Sequence, residues 1–428
     1  MTPRILIIAG SDSGGGAGIQ ADIKTVTMLG GHAMTAVTAI TAQNTLGVSA
    51  VHPIPTDIVL AQIDAVVADI GVDAVKIGMI GSAETAHAVA ARLEALPHMP
   101  VVFDPVMVAT SGAVLADEAT IAAFERLMRR ATLVTPNVPE LAALQPLPPT
   151  LPNAGEPLTR FKPARGEAAS MHKPSSVITT PTPSVDGPPE LGERERRAIA
   201  LALRVRAAVL AKGGDAAGAT LVDLLVTAAG EVSRWQDARL ETPHTHGTGC
   251  TLASAVATGL ARGLPLRTAI ERARLFVRLA IRQAPGFGKG HGPMGHQAVR
   301  LDITMGGAMP NQVTLPLTDY AASHAFYQAL GLTPIVGSAP RYARFEAPGG
   351  MTLSIEAEAQ VSAPTLYFEC SDLDGTVARL RAAGHAVGAS IDQSWGWREA
   401  RLHDPAGNPL CLYQAGENRR FPPWRIDA

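Results

Sequence analysis

Short apolar segments that alternate with longer helix-like ones constrain the fold of the first 300 residues more than any other feature. Four of these segments are strand-like and end at a glycine, a proline or a polar residue: Arg4–Ala9, Ala74–Ile77, Val101–Phe103 and Thr132–Thr135. Helix-like segments such as Ile19–Leu29 separate them. Short apolar strands joined by helices predict an α/β fold, with a mostly parallel sheet covered by helices on both faces.

The composition excludes several classes of partner. Hydrophobic residues make up 46% of the chain and charged residues 17%, which suffices for a core. The net charge of -2 gives no reason to expect nucleic acid or an anionic membrane as a partner. No apolar stretch approaches the roughly 20 residues of a membrane helix. Three cysteines are too few for a disulfide framework, so we expect a cytoplasmic protein.

The composition and the pattern of apolar residues change at two places in the sequence. From about 145 to 192 the chain is rich in Pro, Ser, Thr and Gly, which predicts a flexible insert. From residue 311 a pattern of one strand, one helix and three strands occurs about twice, as in an internal duplication. We therefore predict four segments: a domain at 1–300, a linker at 301–310, a smaller α+β domain at 311–415 and a tail at 416–428.

Ligands of open α/β sheets bind beyond the carboxyl ends of the strands. A glycine-rich loop, residues 10–18, follows the first strand there, and its bare backbone would let a ligand come close. It lacks the Gly-Lys-Ser/Thr of a Walker A loop. Residues 16–21 match the loose dinucleotide pattern, but the acid expected about 20 residues later is absent. The alternative is a strand-to-helix turn without function.

Asp104 and Glu140 each follow a predicted strand, and two carboxylates at neighbouring strand ends suit Mg²⁺. Either acid considered alone is better explained as a turn residue. Lys212 follows another short strand, where its ammonium group could contact an ATP phosphate. The alternative for Lys212 is a solvated lysine at a strand end.

The segment 246–252, His-Gly-Thr-Gly-Cys-Thr-Leu, opens a predicted helix. Backbone N–H groups and the helix dipole make such a start an anion site. We expect the same field to lower the pKa of Cys250, whose thiolate would then take a proton from an attacking hydroxyl. The alternative is a small buried residue, which is what a free cysteine usually is.

Together these motifs resemble the hydroxymethylpyrimidine and phosphomethylpyrimidine kinases of thiamine biosynthesis, which have a ribokinase-like fold. The resemblance covers about residues 1–300 apart from the insert, and its motifs lie at 9–12, 15–22, 41–44, 75–79, 104–108, 135–140, 212–214, 245–250 and 290–293. Many other ribokinase relatives have Asp where this chain has Cys250. The chain departs from the family pattern at Ser13-Gly14, where Pro-Ser is usual, and in the long insert.

The resemblance implies ATP and Mg²⁺ as cofactors, a small pyrimidine as substrate and a homodimer as the assembly. It implies that Cys250 is the catalytic base and that Gly247, Thr248 and Gly249 complete an anion hole. It further implies that Asp104 and Glu140 organise Mg²⁺ through waters and that Lys212 contacts ATP phosphates. The residues that would line the pyrimidine pocket are Gly10, Asp22, Gln43, Met79 and Val106.

Two other functions remain open for this part of the chain. One is a pyridoxal-type kinase on the same scaffold, and the other is a sensor that binds ligand without turnover. Gln43 favours the pyrimidine, because its amide both donates and accepts hydrogen bonds, as an aminopyrimidine edge requires. The alternative for Gln43 is a structural hydrogen bond in a turn.

Residues 311–415 resemble the glyoxalase, bleomycin-resistance and dioxygenase superfamily, through the duplication and the motifs at 325–332 and 404–409. The positions that match the metal ligands of that group are Gln312, Glu356, Thr365 and Cys411. Because the last two are not the expected His and Glu, we predict a binding or docking module without a metal. A lyase or dioxygenase is the alternative. We expect Trp395, Trp397 and Arg398 to line a groove or to be core and rim residues.

Overall fold

The structure is a computed structural model that describes residues 2–108, 112, 114–146, 189–214, 218–299, 308–347, 350–358, 363–403 and 407–426. Most of the predicted insert, the linker up to residue 307 and the motif residues 404–406 lie outside the described residues. The contacts divide the chain into two compact units, Met1–Thr135 with Ala238–Ala428, and Pro136–Asp237.

Single helices separate most of the strands between residues 4 and 134, as the sequence predicts. The strands of the described residues are β1 (Arg4–Ala9), β2 (His32–Val37), β3 (Ala39–Gln43), β4 (Val48–Pro53), β5 (Ala74–Ile77), β6 (Val101–Phe103), β7 (Leu133–Val134), β8 (Ala208–Ala211), β9 (Thr220–Val226), β10 (Val232–Ala238), β11 (Ala308–Leu317), β12 (Thr333–Ser338), β13 (Tyr342–Glu346), β14 (Thr352–Ala357), β15 (Thr365–Cys370), β16 (Ile391–Asp392), β17 (Arg398–His403) and β18 (Pro409–Gln414). The helices are α1 (Gly18–Met28), α2 (Thr56–Asp69), α3 (Ala83–Glu94), α4 (Glu118–Arg130), α5 (Val138–Leu144), α6 (Pro189–Val205), α7 (Thr248–Ala261), α8 (Leu266–Arg282), α9 (Tyr320–Ala329) and α10 (Leu373–Ala382). Among the described residues, no helix is long and apolar enough to cross a membrane.

Five parallel strands form the sheet of the first unit, in the order β7-β6-β5-β1-β2. Strand β1 is buried from Ile5 to Ala9, as its apolar sequence predicts. Helix α7 packs against α1, α8 and strands β1, β5 and β6. Residues Thr251 to Gly259 of α7 are all buried, and most of them are small, so the helix approaches its neighbours closely.

The apolar sequence of residues 34–41 predicts a single strand, but in the structure this segment is divided into β2 and β3. The division falls at Thr38, whose hydroxyl donates to the carbonyl of Met79 at 2.6 Å. Beyond Thr38 the chain forms an antiparallel hairpin of β3 and β4 instead of continuing in the parallel sheet. The prediction of one strand is therefore wrong, because a tertiary hydrogen bond decides where the strand ends.

The second unit contains α5, α6 and the strands β8, β9 and β10, and β8 pairs with β9 in the antiparallel direction. Helix α6 contacts α5 through Arg197, whose guanidinium donates to the carbonyls of Ala142 and Gln145 at 3.3 and 2.7 Å. The prediction was a mostly parallel sheet, and the second unit adds an antiparallel pair of strands to it.

The C-terminal part forms a separate sheet in the order β12-β13-β14-β11-β15-β18-β17-β16. Its two halves each contain a strand, a helix and three strands, so the predicted duplication is confirmed. Helix α10 covers one face of the second half, where Leu373 and Val377 pack against Ala400 and Leu412. A second cluster of buried side chains contains Tyr367, Trp397, Cys411, Tyr413 and Ala415.

Candidate active site

The glycine-rich loop after β1 is organised by the carboxylate of Asp12, which is only 2% exposed. Its Oδ1 accepts a hydrogen bond from the N–H of Gly14 at 2.8 Å, and its Oδ2 accepts from Gly16 at 2.9 Å and Ala17 at 2.7 Å. Burial alone would raise the pKa of Asp12, but hydrogen bonds from His246 and the backbone hold it below its usual value. Asp12 lies in one of the motifs of this loop, and no role was predicted for it from the sequence.

His246 connects this loop to the start of α7. Its Nε2 lies 3.1 Å from Oδ2 of Asp12 and 2.9 Å from Nε2 of Gln43. A Cβ on Gly16 would lie 2.5 Å from the His246 ring, so the loop needs a glycine there. Because the Gln43 amide already contacts His246, the structural alternative for Gln43 gains support, and its contact with a pyrimidine stays a prediction.

We expect Asp12→Ala to loosen the loop and to destabilise the protein by roughly 2–3 kcal/mol, the order of a hydrogen-bond network on a charged group. The pKa of Asp12 is lowered from 3.8 in the folded protein, so its stabilisation is present above that value and is lost as the pH falls below it. Urea unfolding at pH 7 and pH 3 should show a difference from wild type that shrinks at pH 3. Asp69→Ala, on an exposed carboxylate, is the control. An equal effect of both variants at pH 7 would contradict the role of Asp12.

Gly247 is the N-cap residue of helix α7, and its backbone is left-handed with φ 84°. A Cβ there would lie 1.9 Å from the carbonyl oxygen of Gly16, so two glycines allow this close approach. No side chain caps the helix. The N–H groups of Gly249 and Cys250 have no intrahelical acceptor at this position and lie in partly exposed residues, which is the arrangement of an anion site.

The surroundings of Cys250 differ from the expectation. The thiol is half-buried, and burial raises its pKa to about 11. The ammonium of Lys76 opposes this rise, whereas the carboxylates of Asp22 and Asp104 add to it. The predicted lowering of the Cys250 pKa by the helix field is therefore wrong, because burial and two carboxylates from other segments outweigh it. At pH 7 the thiolate is a fraction of about 10⁻⁴.

A buried ion pair lies beside Cys250. Nζ of Lys76 is 2.8 Å from Oδ2 of Asp22, and neither side chain has any exposed surface. The hydroxyl of Ser254 on α7 donates to Oδ1 of Asp22 at 2.7 Å. The carboxylate partner holds the pKa of Lys76 above its usual range, so this lysine is charged at neutral pH. The carboxylate of Asp22 therefore holds Lys76 and Ser254, and contact of Asp22 with a substrate stays a prediction.

The other predicted pocket residues lie at the ends of neighbouring strands. Gly10 and Met79 are in contact, since a Cβ on Gly10 would lie 2.5 Å from Cε of Met79. Asp104 is 2% exposed and accepts a hydrogen bond from the Thr135 hydroxyl at 2.8 Å. Val106, two residues beyond Asp104, is partly exposed. Contact of these residues with a substrate stays a prediction.

Glu140 and Lys212 belong to the second unit. Glu140 forms a capping box at the start of α5: its Oε2 accepts from the N–H of Asn137 at 2.8 Å, and its own N–H donates to Asn137 Oδ1 at 2.9 Å. This cap was not predicted from the sequence, and it uses the carboxylate for which a role at Mg²⁺ was predicted. Lys212 is partly exposed, and its N–H donates to the carbonyl of Pro136 at 2.9 Å.

A magnesium site of the kind predicted needs few protein ligands. In the part of the chain that the structure describes, no group of three or more His, Cys, Asp or Glu residues is placed to hold a metal. Mg²⁺ is commonly bound by one or two carboxylates together with waters and substrate phosphates. The carboxylate of Asp104, directly after β6, fits this mode of Mg²⁺ coordination.

In the C-terminal part, the four positions matched to metal ligands have other surroundings. Gln312 accepts a hydrogen bond from the Thr352 hydroxyl at 2.8 Å. Cys411 is fully buried 3.6 Å from a carboxylate oxygen of Glu399, and burial raises the pKa of its thiol. Glu356 is exposed, and Thr365 is partly exposed.

Of the three residues expected in a groove, Trp397 is a core residue. Trp397 is 2% exposed and stacks on Tyr413 at 4.6 Å. Trp395 is 38% exposed and donates from its indole to Glu399 at 3.1 Å. Arg398 forms surface ion pairs with Asp374 and Asp392 at 3.2 and 2.9 Å. This agrees with the core-and-rim alternative.

Comparison with solved structures defines the class of fold. The pyridoxal kinase of Staphylococcus aureus, in complex with AMP-PCP and pyridoxal, matches with a TM-score of 0.55 and 28% identity over 69% of this chain and 94% of its own. The ADP complex of the Bacillus subtilis pyridoxal kinase matches with a TM-score of 0.53 and 29% identity over 70% of this chain and 100% of its own. The predicted ribokinase-like fold is confirmed.

Comparison of sequences gives the family. The phosphomethylpyrimidine kinase family matches residues 12–155 and 188–295, and a glyoxalase-like domain family matches 312–413. A hydroxymethylpyrimidine/phosphomethylpyrimidine kinase of Rhizobium meliloti is 42% identical over 69% of this chain and 97% of its own length. The thiamine biosynthesis bifunctional protein ThiED of Geobacter sulfurreducens is 43% identical over 70% of this chain, which spans only 53% of that relative. The chain belongs to the phosphomethylpyrimidine kinase family and carries a glyoxalase-like domain at its C-terminal end.

Proposed function

We propose that this chain transfers the γ-phosphoryl group of ATP to the hydroxymethyl group of 4-amino-5-hydroxymethyl-2-methylpyrimidine, and then a second one to the monophosphate, in thiamine biosynthesis. The observation that carries the proposal is the Gly-Thr-Gly-Cys turn at the start of α7 in a member of this family. Its left-handed Gly247 and the amides of Gly249 and Cys250 suit a transferring phosphoryl group.

The chemistry follows from positioning and electrostatics. The phosphoryl group passes through a loose transition state whose charge lies on its equatorial oxygens, and helix-start amides stabilise that charge. The Cys250 thiolate accepts the proton of the attacking hydroxyl. Because this thiolate is a small fraction at neutral pH, the rate of phosphoryl transfer should rise as the pH increases. Lys76 favours the thiolate through its charge.

Mg²⁺ would neutralise charge on the phosphates of ATP. We assign its waters to Asp104 and Glu140, and we assign a phosphate contact to Lys212. Gly10, Met79 and Val106 are proposed to contact the pyrimidine ring. Gln43 and Asp22 complete the proposed pocket, and the carboxylate of Asp22 also pairs with Lys76.

A pyridoxal kinase is the second candidate, favoured by the solved structures of pyridoxal kinases that share this fold. Initial rates of the full chain with hydroxymethylpyrimidine, its monophosphate and pyridoxal, each offered separately with ATP and Mg²⁺, decide between them. We expect kcat/KM for the pyrimidine to exceed that for pyridoxal by about 10²-fold or more, since hydrogen-bonding sites discriminate strongly. An equal or higher value for pyridoxal would favour the second candidate.

A homodimer is the proposed assembly, and a cytoplasmic location stays a prediction. The hairpin of β3 and β4 exposes large apolar side chains, with Ile40 48%, Leu46 66% and Val51 44% exposed. Such a cluster on a surface is typical of a protein interface. Sedimentation of the wild-type chain should give a dimer and Ile40→Glu a monomer, whereas a monomeric wild-type chain would contradict the proposal.

A further inference from the structure

Arg419, in the segment that the sequence analysis described as a tail, is fully buried in the C-terminal part. Its Nη1 donates to the carbonyl of Gly350 at 2.6 Å, and its Nε lies 3.4 Å from Oε2 of Glu369. Glu369 itself is 4% exposed. A buried guanidinium is tolerated only where a carboxylate and carbonyl groups compensate its charge, and both are present here.

Buried polar groups hold the carboxylate of Glu369 in place. The amide of Asn311 donates to Oε2 of Glu369 at 2.5 Å, and the hydroxyl of Tyr413 donates to Oδ1 of Asn311 at 2.7 Å. Asn311 and Tyr413 are at most 1% exposed. These hydrogen bonds, from Tyr413 to Asn311 and from Asn311 to Glu369, hold the Glu369 carboxylate in one position. Arg419, which is not part of the sheet, supplies the cation that pairs with it.

The sheet also contacts the backbone beside Arg419. The guanidinium of Arg344 donates to the carbonyl of Arg419 at 3.2 Å, and the indole of Trp397 donates to the carbonyl of Asn418 at 3.5 Å. Arg344 lies 4.5 Å above the Trp397 ring, so a cation–π contact orders both donors. The sheet therefore binds both the charged side chain of Arg419 and the backbone carbonyls of Asn418 and Arg419.

The residues on either side of Asn418 and Arg419 contact helix α8 instead. The carboxylate of Glu417 lies 3.1 Å from Nη2 of Arg278 and 3.1 Å from Nε of Arg282. Arg282 also lies 5.0 Å from the centre of the Phe421 ring. These ion pairs are only partly exposed, so they are screened less than surface pairs.

We propose that residues 416–421, here called the clasp segment, are an internal ligand. The sheet of the C-terminal domain binds the Arg419 guanidinium on Glu369, and Glu417 fastens the same segment to helix α8. The glyoxalase-like domain is thereby a docking module whose ligand class is a guanidinium cation. This proposal concerns attachment and does not depend on which substrate the kinase part phosphorylates.

Chemical rescue tests the guanidinium site in the full chain. Arg419→Ala removes the cation and leaves Glu369 with its buried negative charge. The variants of this and the next test, and their wild-type reference, carry Trp235→Phe, so that tryptophan fluorescence reports on Trp395, Trp397 and Trp424. We expect the thermal transition followed by this fluorescence to fall by about 5–10 °C. Millimolar methylguanidinium should restore part of this loss, and methylammonium should not. Arg425→Ala, on the same tail but paired with Glu346, is the matched variant that methylguanidinium should not rescue.

Two results would overturn the guanidinium site: an Arg419→Ala transition equal to that of wild type, or equal recovery with both cations, which indicates ionic strength alone. If Arg419→Ala does not fold at all, Arg419→Lys provides the test. This variant keeps the charge without the planar fork, so methylguanidinium should still raise its transition more than methylammonium does.

The attachment to α8 has its own test. In wild type we expect the tryptophan transition and the far-ultraviolet circular dichroism transition to coincide, as for one cooperative unit. Glu417→Ala should separate them by several degrees, with the tryptophan transition lower, whereas Glu358→Ala on an exposed carboxylate should not. Coincident transitions in Glu417→Ala, or separate transitions already in wild type, would overturn the attachment.

Discussion

Cys250→Ser is expected to lower kcat for pyrimidine phosphorylation by about 10²–10⁴-fold, the usual contribution of a general base. Serine has nearly the same size and leaves the turn at Gly247 intact, but its hydroxyl does not ionise in the accessible pH range. Pyrimidine binding, measured by calorimetry, should change by only a few fold. A near-normal rate in this variant would show that Cys250 is not the base.

The pH dependence of the same reaction is a second test of Cys250 as the catalytic base. Burial places the pKa of this thiol at about 11, so the thiolate fraction of the free enzyme rises about tenfold for each pH unit up to that value. We expect kcat/KM of wild type to rise between pH 7 and pH 9.5 and that of Cys250→Ser to stay flat. A flat wild-type profile over this range would contradict proton acceptance by the thiolate.

Lys76→Met is expected to destabilise the protein by roughly 3–5 kcal/mol, the cost of removing one partner from a buried ion pair. Methionine fills a similar volume, so the effect comes from the Asp22 carboxylate, which is left fully buried with the Ser254 hydroxyl as its neutral donor. Urea unfolding measures the loss. Against a total stability of about 5–15 kcal/mol, the loss is enough to unfold a marginal protein.

The double variant Lys76→Met with Asp22→Asn keeps the prediction testable if the single variant does not fold. It removes both charges, so it should recover a large part of the stability that the single variant loses. Lys289→Met, on an exposed lysine, is the control and should be close to wild type. A Lys76→Met variant as stable as wild type, or a double variant no better than the single one, would contradict the ion pair.

Local patterns predicted the strands well and the ion pair not at all. Strand Ala74–Ile77 was predicted with its observed bounds, because a short apolar run between turns has few alternatives. The same segment contains Lys76, and a lysine in a buried strand is itself a signal that an acid lies nearby. Its partner Asp22 is 54 residues away in the sequence, so only the fold shows the pairing.

The position of the glycine-rich helix start was predicted from the sequence, but the charges and pKa shifts around Cys250 were not. The helix start at Thr248 followed from the glycines before it, but the direction of the Cys250 pKa did not. The dipole of α7 depends on local sequence, whereas the raised pKa of Cys250 comes from burial and from Asp22 and Asp104 on other segments. The role of Asp12 was missed for a similar reason, since its partner His246 lies 234 residues away.

The C-terminal part shows the same limit. Duplication of the βαβββ pattern predicted its architecture, which depends on local periodicity. The clasp segment was predicted as part of a tail, because residues 416–421 have no periodicity that distinguishes them. The domain bounds stay a prediction, but Arg419 of this tail is buried against Glu369 through contacts between distant segments.

The most direct test of the central claim is mass spectrometry of the pyrimidine itself. The purified full chain is incubated with hydroxymethylpyrimidine, ATP and Mg²⁺, and the products are followed with time, with Cys250→Ser in parallel. The account predicts that wild type forms the monophosphate first and the diphosphate later, and that the variant forms little of either. Unmodified pyrimidine alongside intact ATP, in a chain that still binds the pyrimidine, would contradict the kinase and support a ligand sensor.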